Sequence, residues 1–159
     1  MSRDVYGRGS LRAGRPGLHF CLLVVLLAGC SREGEAPRNV VELESGQVEL
    51  PEGSSRHDVV LEGVGAADEV RPPSVQARTG DAIAFTAVDG ITHSVAFAAD
   101  RLDAAQVAFL ESTGQMRSPP LLSEGASWVV TLLDAPPGDY PFSCTLHGGA
   151  GVVGVQRRD

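Results

Sequence analysis

The sequence predicts an all-β fold, a Greek-key β-sandwich with one short helix, and three observations predict it. Ile83, Phe85 and Ala87 alternate with Ala84, Thr86 and Val88, and Tyr140, Phe142 and Cys144 share one side of another run, the period of strands buried on a face. Turn-forming clusters separate such runs: Thr79-Gly80-Asp81, Asp89-Gly90 and Pro136-Pro137-Gly138-Asp139. Helical spacing occurs in one segment alone, through Leu102, Ala105, Gln106, Phe109 and Leu110. Short strands, frequent turns, one helical insertion and no internal repeat describe a Greek-key β-sandwich.

Taken in order, the chain opens with Arg3, Arg8, Arg12 and Arg15 ahead of an apolar run from Leu18 to Gly29. A basic start, a short apolar stretch and a small-residue exit read as an export signal over residues 1–29. The run falls short of the roughly 20 apolar residues that span a bilayer. Its end, Leu27-Ala28-Gly29-Cys30, resembles the lipobox of bacterial lipoproteins. That resemblance implies acylation of Cys30 and anchoring by several lipid tails, with a plain secretory signal as the other reading. Residues 30–56, rich in Glu, Gly, Ser and Pro, read as a flexible tether, with a stray hairpin through Val40–Leu43 and Val48–Leu50 as the alternative. The domain is then 57–159.

Within it, Val59–Leu61 reads as a short strand, and Ser74–Arg78 as another after the Pro72-Pro73 break. The run from Ile83 is a third, and Val95 with Phe97 a fourth. A helix is expected over about 101–112, capped by Asp100. Loop follows through Gly114, Met116 and Pro119-Pro120. Trp128, Val130 and Leu132 mark a strand, Tyr140 to Cys144 the next, and Val153 with Val155 the last. Aromatic residues at alternate positions fill a sandwich core, which assigns Trp128, Tyr140 and Phe142 to packing.

Charge and cysteine content narrow the chemistry. Removing residues 1–29 takes away four arginines and Asp4, moving the net charge from −7 to −10. An acidic domain is steered toward basic partners and away from nucleic acid. Cys21 lies in the leader and Cys30 at its end, so Cys144 is the one thiol left in the domain, and it has no partner for an internal disulfide. His57, beside Asp58, reads as a solvated surface residue. No paired carboxylates, nucleophile motif, phosphate loop or hydrolytic zinc signature occurs, and no enzyme is expected.

Cys144 and His147 stand three residues apart, and His93 lies some fifty residues upstream. One thiolate and two imidazoles are the donors of a trigonal copper site that serves both Cu(I) and Cu(II) with little rearrangement. Delivering two donors from one tight loop needs a backbone free to turn and pack closely, which Gly148, Gly149 and Gly151 permit.

The run Gly138 to Gly154 resembles the copper loop of plastocyanin-like members of the cupredoxin family, Gly-x-Tyr-x-Phe-x-Cys-x-x-His-x-Gly-Ala-Gly-Met-Val-Gly. The matching residues are Gly138, Tyr140, Phe142, Cys144, His147, Gly149, Ala150, Gly151, Val153 and Gly154. Gly80-Asp81 through Phe85, and His93-Ser94-Val95-Ala96-Phe97, are similar to the family's first-histidine region. The likeness covers about 57–157. It implies copper held by His93, Cys144 and His147, with the amide of Ser94 donating to the thiolate. The departure is Val152, where the family carries its axial methionine; valine cannot coordinate. A nearly trigonal site results, or one whose axial neighbour is a backbone carbonyl such as that of Thr92. A weaker axial field implies a higher reduction potential than a methionine-ligated relative has. Met116 lies in a loop, and Gln156 sits four residues past the axial position; both are poor substitutes.

The family's role implies a monomeric, envelope-tethered carrier of single electrons facing the periplasm or the outside. His147 would be the electron port, and Leu146, Gly148, Gly149, Ala150 and Ile91 an apolar rim. Its partners would be envelope redox proteins, a basic cytochrome among them. Two other readings remain at this point, a copper-delivery module without electron turnover and a sandwich that has lost its metal.

Overall fold

The computed structural model describes residues 39–43, 46–64 and 67–158, all within the unit Glu35–Asp159. The residues expected to form an export signal, Cys30 and the first part of the expected tether lie outside the described residues.

Two four-stranded sheets share one apolar core. In one, β4 (Ala67–Arg71), β3 (Arg56–Val64), β6 (Ala82–Ala87) and β8 (Ser127–Thr131) are neighbours in that order. In the other the order is β5 (Ser74–Arg78), β10 (Ala150–Gln156), β9 (Gly138–Cys144) and β7 (Val95–Phe97). β3 runs parallel to β6 and β10 parallel to β5, while the remaining pairs are antiparallel. Alternating residues of both sheets meet inside: Val59, Leu61, Ile83, Phe85 and Val130 from one, Val75, Tyr140, Phe142, Val153 and Val155 from the other. Phe85 stacks on Trp128 with ring centroids 5.6 Å apart and meets Phe142 edge-on at 4.9 Å. Each such buried side chain contributes about 1.5–3 kcal/mol of apolar burial. Trp128, Tyr140 and Phe142 are thus core, as their spacing implied. The Tyr140 hydroxyl donates to the Pro136 carbonyl at 2.7 Å, and burial pushes its pKa up to about 12.

Four details depart from the sequence reading. Residues 39–56 do not form a free tether: β1 (Val40–Leu43) and β2 (Gly46–Glu49) pair as a hairpin. Val41 and Leu50 are buried against Ala82, with Leu43, Val48, Val129 and Leu133 packed around them. The weak alternation in that acidic stretch had a partner surface beside β8, so the folded part begins ahead of residue 57. Second, the helix is α1 (Ala104–Ser112), and Asp103 caps it in place of Asp100. The Asp103 carboxylate accepts from the Gln106 amide at 2.8 Å while Gln106 Oε1 accepts from the Asp103 amide at 2.9 Å, a reciprocal capping box. Asp100 lies in a 3₁₀ turn, Ala99–Arg101, just before it.

Third, β4 was not read as a strand. Its Asp68, Glu69 and Arg71 are poor strand formers, and it pairs with β3 alone, at the sheet edge. Fourth, His57 is no free surface residue. Its Nε2 lies 3.0 Å from Asp81 Oδ2, and Asp81 also receives the amides of Ser55 and Arg78 and the guanidinium of Arg158. At the opposite edge of the same sheet, buried Gln115 accepts from the Thr131 amide at 2.6 Å and donates to its carbonyl at 3.1 Å, closing the rim of β8.

Candidate metal centre

Strand β9 ends at Cys144, where the chain makes a tight loop before β10. The Cys144 amide donates to the Gly149 carbonyl at 2.6 Å and the Gly148 amide to the Cys144 carbonyl at 3.1 Å. Gly148 has φ +86°, a left-handed conformation that suits glycine. His147 is carried by this loop. His93 precedes β7, whose Val95 pairs with Cys144. It exchanges two backbone hydrogen bonds with Leu121, at 3.0 and 2.9 Å. The Thr145 amide donates to the Ser94 carbonyl at 2.7 Å, tying the two ligand-bearing segments together. The fold therefore brings His93, Cys144 and His147 together from two segments of the sequence.

A fourth residue joins them. Donor atoms of Asp68, His93, Cys144 and His147 all lie within 4.8 Å of one another. Asp68 Oδ2 stands 3.4 Å from His93 Nδ1, and Asp68 Oδ1 stands 3.2 Å from His147 Nδ1. Neither approach has hydrogen-bond geometry. Among the described residues, both Asp68 oxygens and His93 Nδ1 are buried without a hydrogen-bond partner. Burying an uncompensated carboxylate costs several kcal/mol, in order of magnitude. Three such atoms turned toward one point are what a cation would satisfy, and sulfur with imidazole nitrogens suits copper.

A second carboxylate holds His93. Asp89 Oδ1 lies 2.9 Å from His93 Nε2, and the Gly63 and Ile91 amides donate to Asp89 at 2.6 and 3.1 Å. The Gly63 amide first, then His93, hold the Asp89 carboxyl below its ordinary pKa. A ring proton on Nε2 would serve this acceptor and leave Nδ1 as the atom available to a metal. Sequence reading missed both carboxylates. Asp68 lay in a strand that was not recognised, and Asp89 stood only as a turn residue, although its i, i+4 spacing to His93 was visible.

Cys144 and His93 are buried, whereas the His147 side chain is 38% exposed. Of the residues expected to rim it, Leu146, Gly148, Ala150 and Ile91 are exposed, whereas Gly149 is buried and leaves the rim. Thr92 is half-buried and Ser94 buried on either side of His93. Val152 is half-buried on β10, its side chain offers no ligand atom, and its amide donates to the Pro73 carbonyl at 2.9 Å.

Fold and site together define a β-sandwich with a thiolate–imidazole metal centre at one end of β9. Residues 57–156 match the family model of copper binding proteins, plastocyanin/azurin family, and the chain belongs to that family. It is 35% identical to a Synechococcus plastocyanin over 86 residues, 52% of this chain and 58% of the relative's length. Against the chloroplastic plastocyanin of Hordeum vulgare it is 28% identical over 120 residues, 76% of this chain and 74% of the relative. The fold is also that of oxidised plastocyanin from the fern Dryopteris crassirhizoma, with TM-score 0.52 and 23% identity, covering 62% of this chain and 99% of the other. Copper is accordingly the cofactor of this family's site.

Proposed function

We propose that this chain is a one-electron carrier whose copper is held by His93, Cys144 and His147. The reading rests on the convergence of those three side chains, two of them buried, at one end of the sandwich. Bound copper would supply reversible one-electron exchange between Cu(II) and Cu(I). The protein's part is to hold the donors still in both states. The paired loops at Cys144 and His93, the Thr145–Ser94 link and the Asp89 anchor all serve that end.

Electrons would pass through the exposed His147 ring, with Leu146, Gly148, Ala150 and Ile91, exposed as well, forming its rim. A small apolar patch of this kind fits brief contacts with redox partners. The acidic chain favours a basic partner, a cytochrome being one such. By the leader sequence it works in the cell envelope, anchored through lipid on Cys30. Copper delivery is the weaker reading. Met116 is the one methionine among the described residues, and it packs against the core, where it is no soft donor for Cu(I) in transit.

Adding Cu(II) to the purified protein is expected to produce an intense thiolate-to-copper band that reductant bleaches and oxidant restores. The band disappears in Cys144→Ser. Copper binding without such a band would favour delivery, and no binding would favour a relic.

A further inference from the structure

We propose that Asp68 supplies the fourth copper ligand through a carboxylate oxygen, from a different sheet and strand than the absent methionine. The proposal rests on the copper reading above and adds to it a donor from β4.

Position carries the argument. The Asp68 side chain is fully buried, its oxygens reach within 3.4 and 3.2 Å of the two imidazole Nδ1 atoms, and among the described residues neither oxygen has a hydrogen-bond partner. Its backbone is fastened to the ligand loop, with the Asp68 amide 3.4 Å from the His147 carbonyl. The loop makes room for it at Gly149, where a Cβ would lie 2.7 Å from the Asp68 carbonyl oxygen and 2.9 Å from its Cβ. Asp89 engages the Nε2 edge of His93, so the opposite ring edge, Nδ1, is the one that faces Asp68 Oδ2. The Val152 side chain has no ligand atom and Met116 packs against the core, whereas the Asp68 carboxylate lies within reach of all three other side chains.

The chemical consequence opposes what Val152 alone implies. A missing axial donor favours Cu(I), whereas an anionic oxygen is a hard donor that favours Cu(II). With Asp68 bound, the potential falls rather than rises, and the Cu–S bond weakens in the oxidised state.

The test compares the full chain in detergent, loaded with Cu(II), with Asp68→Asn and Asp68→Ala. Asparagine keeps the shape and removes the charge; alanine removes the donor. Both variants are expected to keep the thiolate band but to shift its intensity toward lower energy. Their Cu(I)-to-Cu(II) affinity ratio should rise at least tenfold, about 59 mV for one electron. An unchanged band profile overturns the proposal even if the potential moves, because a nearby charge alone does that. A wild type with no thiolate band would sink the copper reading itself, a different failure. Should the variants not fold, infrared difference spectra of the wild type decide. Copper loading must shift one carboxylate stretch, and no shift overturns the proposal.

Discussion

Gly149 sets how closely the ligand loop approaches β4. A methyl group there would meet Asp68 backbone atoms at 2.7 and 3.1 Å, and backbone cannot swing aside as a flexible side chain would. Gly149→Ala is expected to destabilise the fold by about 1–3 kcal/mol, measured by urea unfolding. An unchanged midpoint would mean that strand and loop part at no cost. In the proposed site Asp89 would act on copper only through His93, by holding its ring in place. Asp89→Ala should weaken copper binding about 10–100-fold in chelator competition, while Asp89→Asn, which retains an acceptor oxygen, should recover part of the loss. Equal affinities across the series would remove Asp89 from the site. Asp89 was not legible as functional in the sequence, and Gly149 was legible only as a loop glycine, not as the seat of Asp68. A glycine's clearance depends on a strand some eighty residues away, and a carboxylate in a Glu- and Asp-rich chain carries no mark of its partner.

At the scale of elements, Asp81 joins the end of the β1–β2 segment, the start of β3 and the C-terminal Arg158. Burial pushes its carboxyl up, but the His57 hydrogen bond and the amides of Ser55 and Arg78 outweigh it and hold the pKa below the ordinary value. A lowered carboxyl pKa stabilises the folded state above the unfolded value, and that contribution is lost as pH falls through the folded one. Unfolding free energy should therefore drop in acid for the wild type and drop less steeply in Asp81→Asn. Parallel acid limbs would contradict the assignment. In α1 the reciprocal bonds of Asp103 and Gln106 lead to an expected loss of about 1 kcal/mol for Asp103→Ala, read by thermal or urea unfolding, with Asp100→Ala near neutral. Legibility varied between elements for identifiable reasons. β5 was read at its observed bounds because Pro72-Pro73 and Thr79-Gly80 frame it. β4 was missed because a charged edge strand lacks the apolar alternation that marks the others. The hairpin of β1 and β2 was weighed as tether because its few apolar residues gain meaning only against Ala82 and Val129.

For the molecule as a whole, net charge and site exposure make a joint prediction. A chain of charge −7 with one half-exposed ligand should exchange electrons faster with cationic reagents than with anionic ones, and added salt should narrow the gap. Rates blind to both sign and salt would detach the acidic surface from function. The sandwich and three of the four clustered donors were legible because a local loop motif and alternating strands announce them. The fourth donor was hidden because it enters from the other sheet. Everything proposed for function depends on sulfur and imidazole sharing one ion. X-ray absorption at the copper edge of the loaded protein examines that directly. It should show one short copper–sulfur distance with two imidazole nitrogens in the wild type, and the sulfur contribution should vanish in Cys144→Ser. A copper environment of nitrogen and oxygen alone in the wild type would contradict the account.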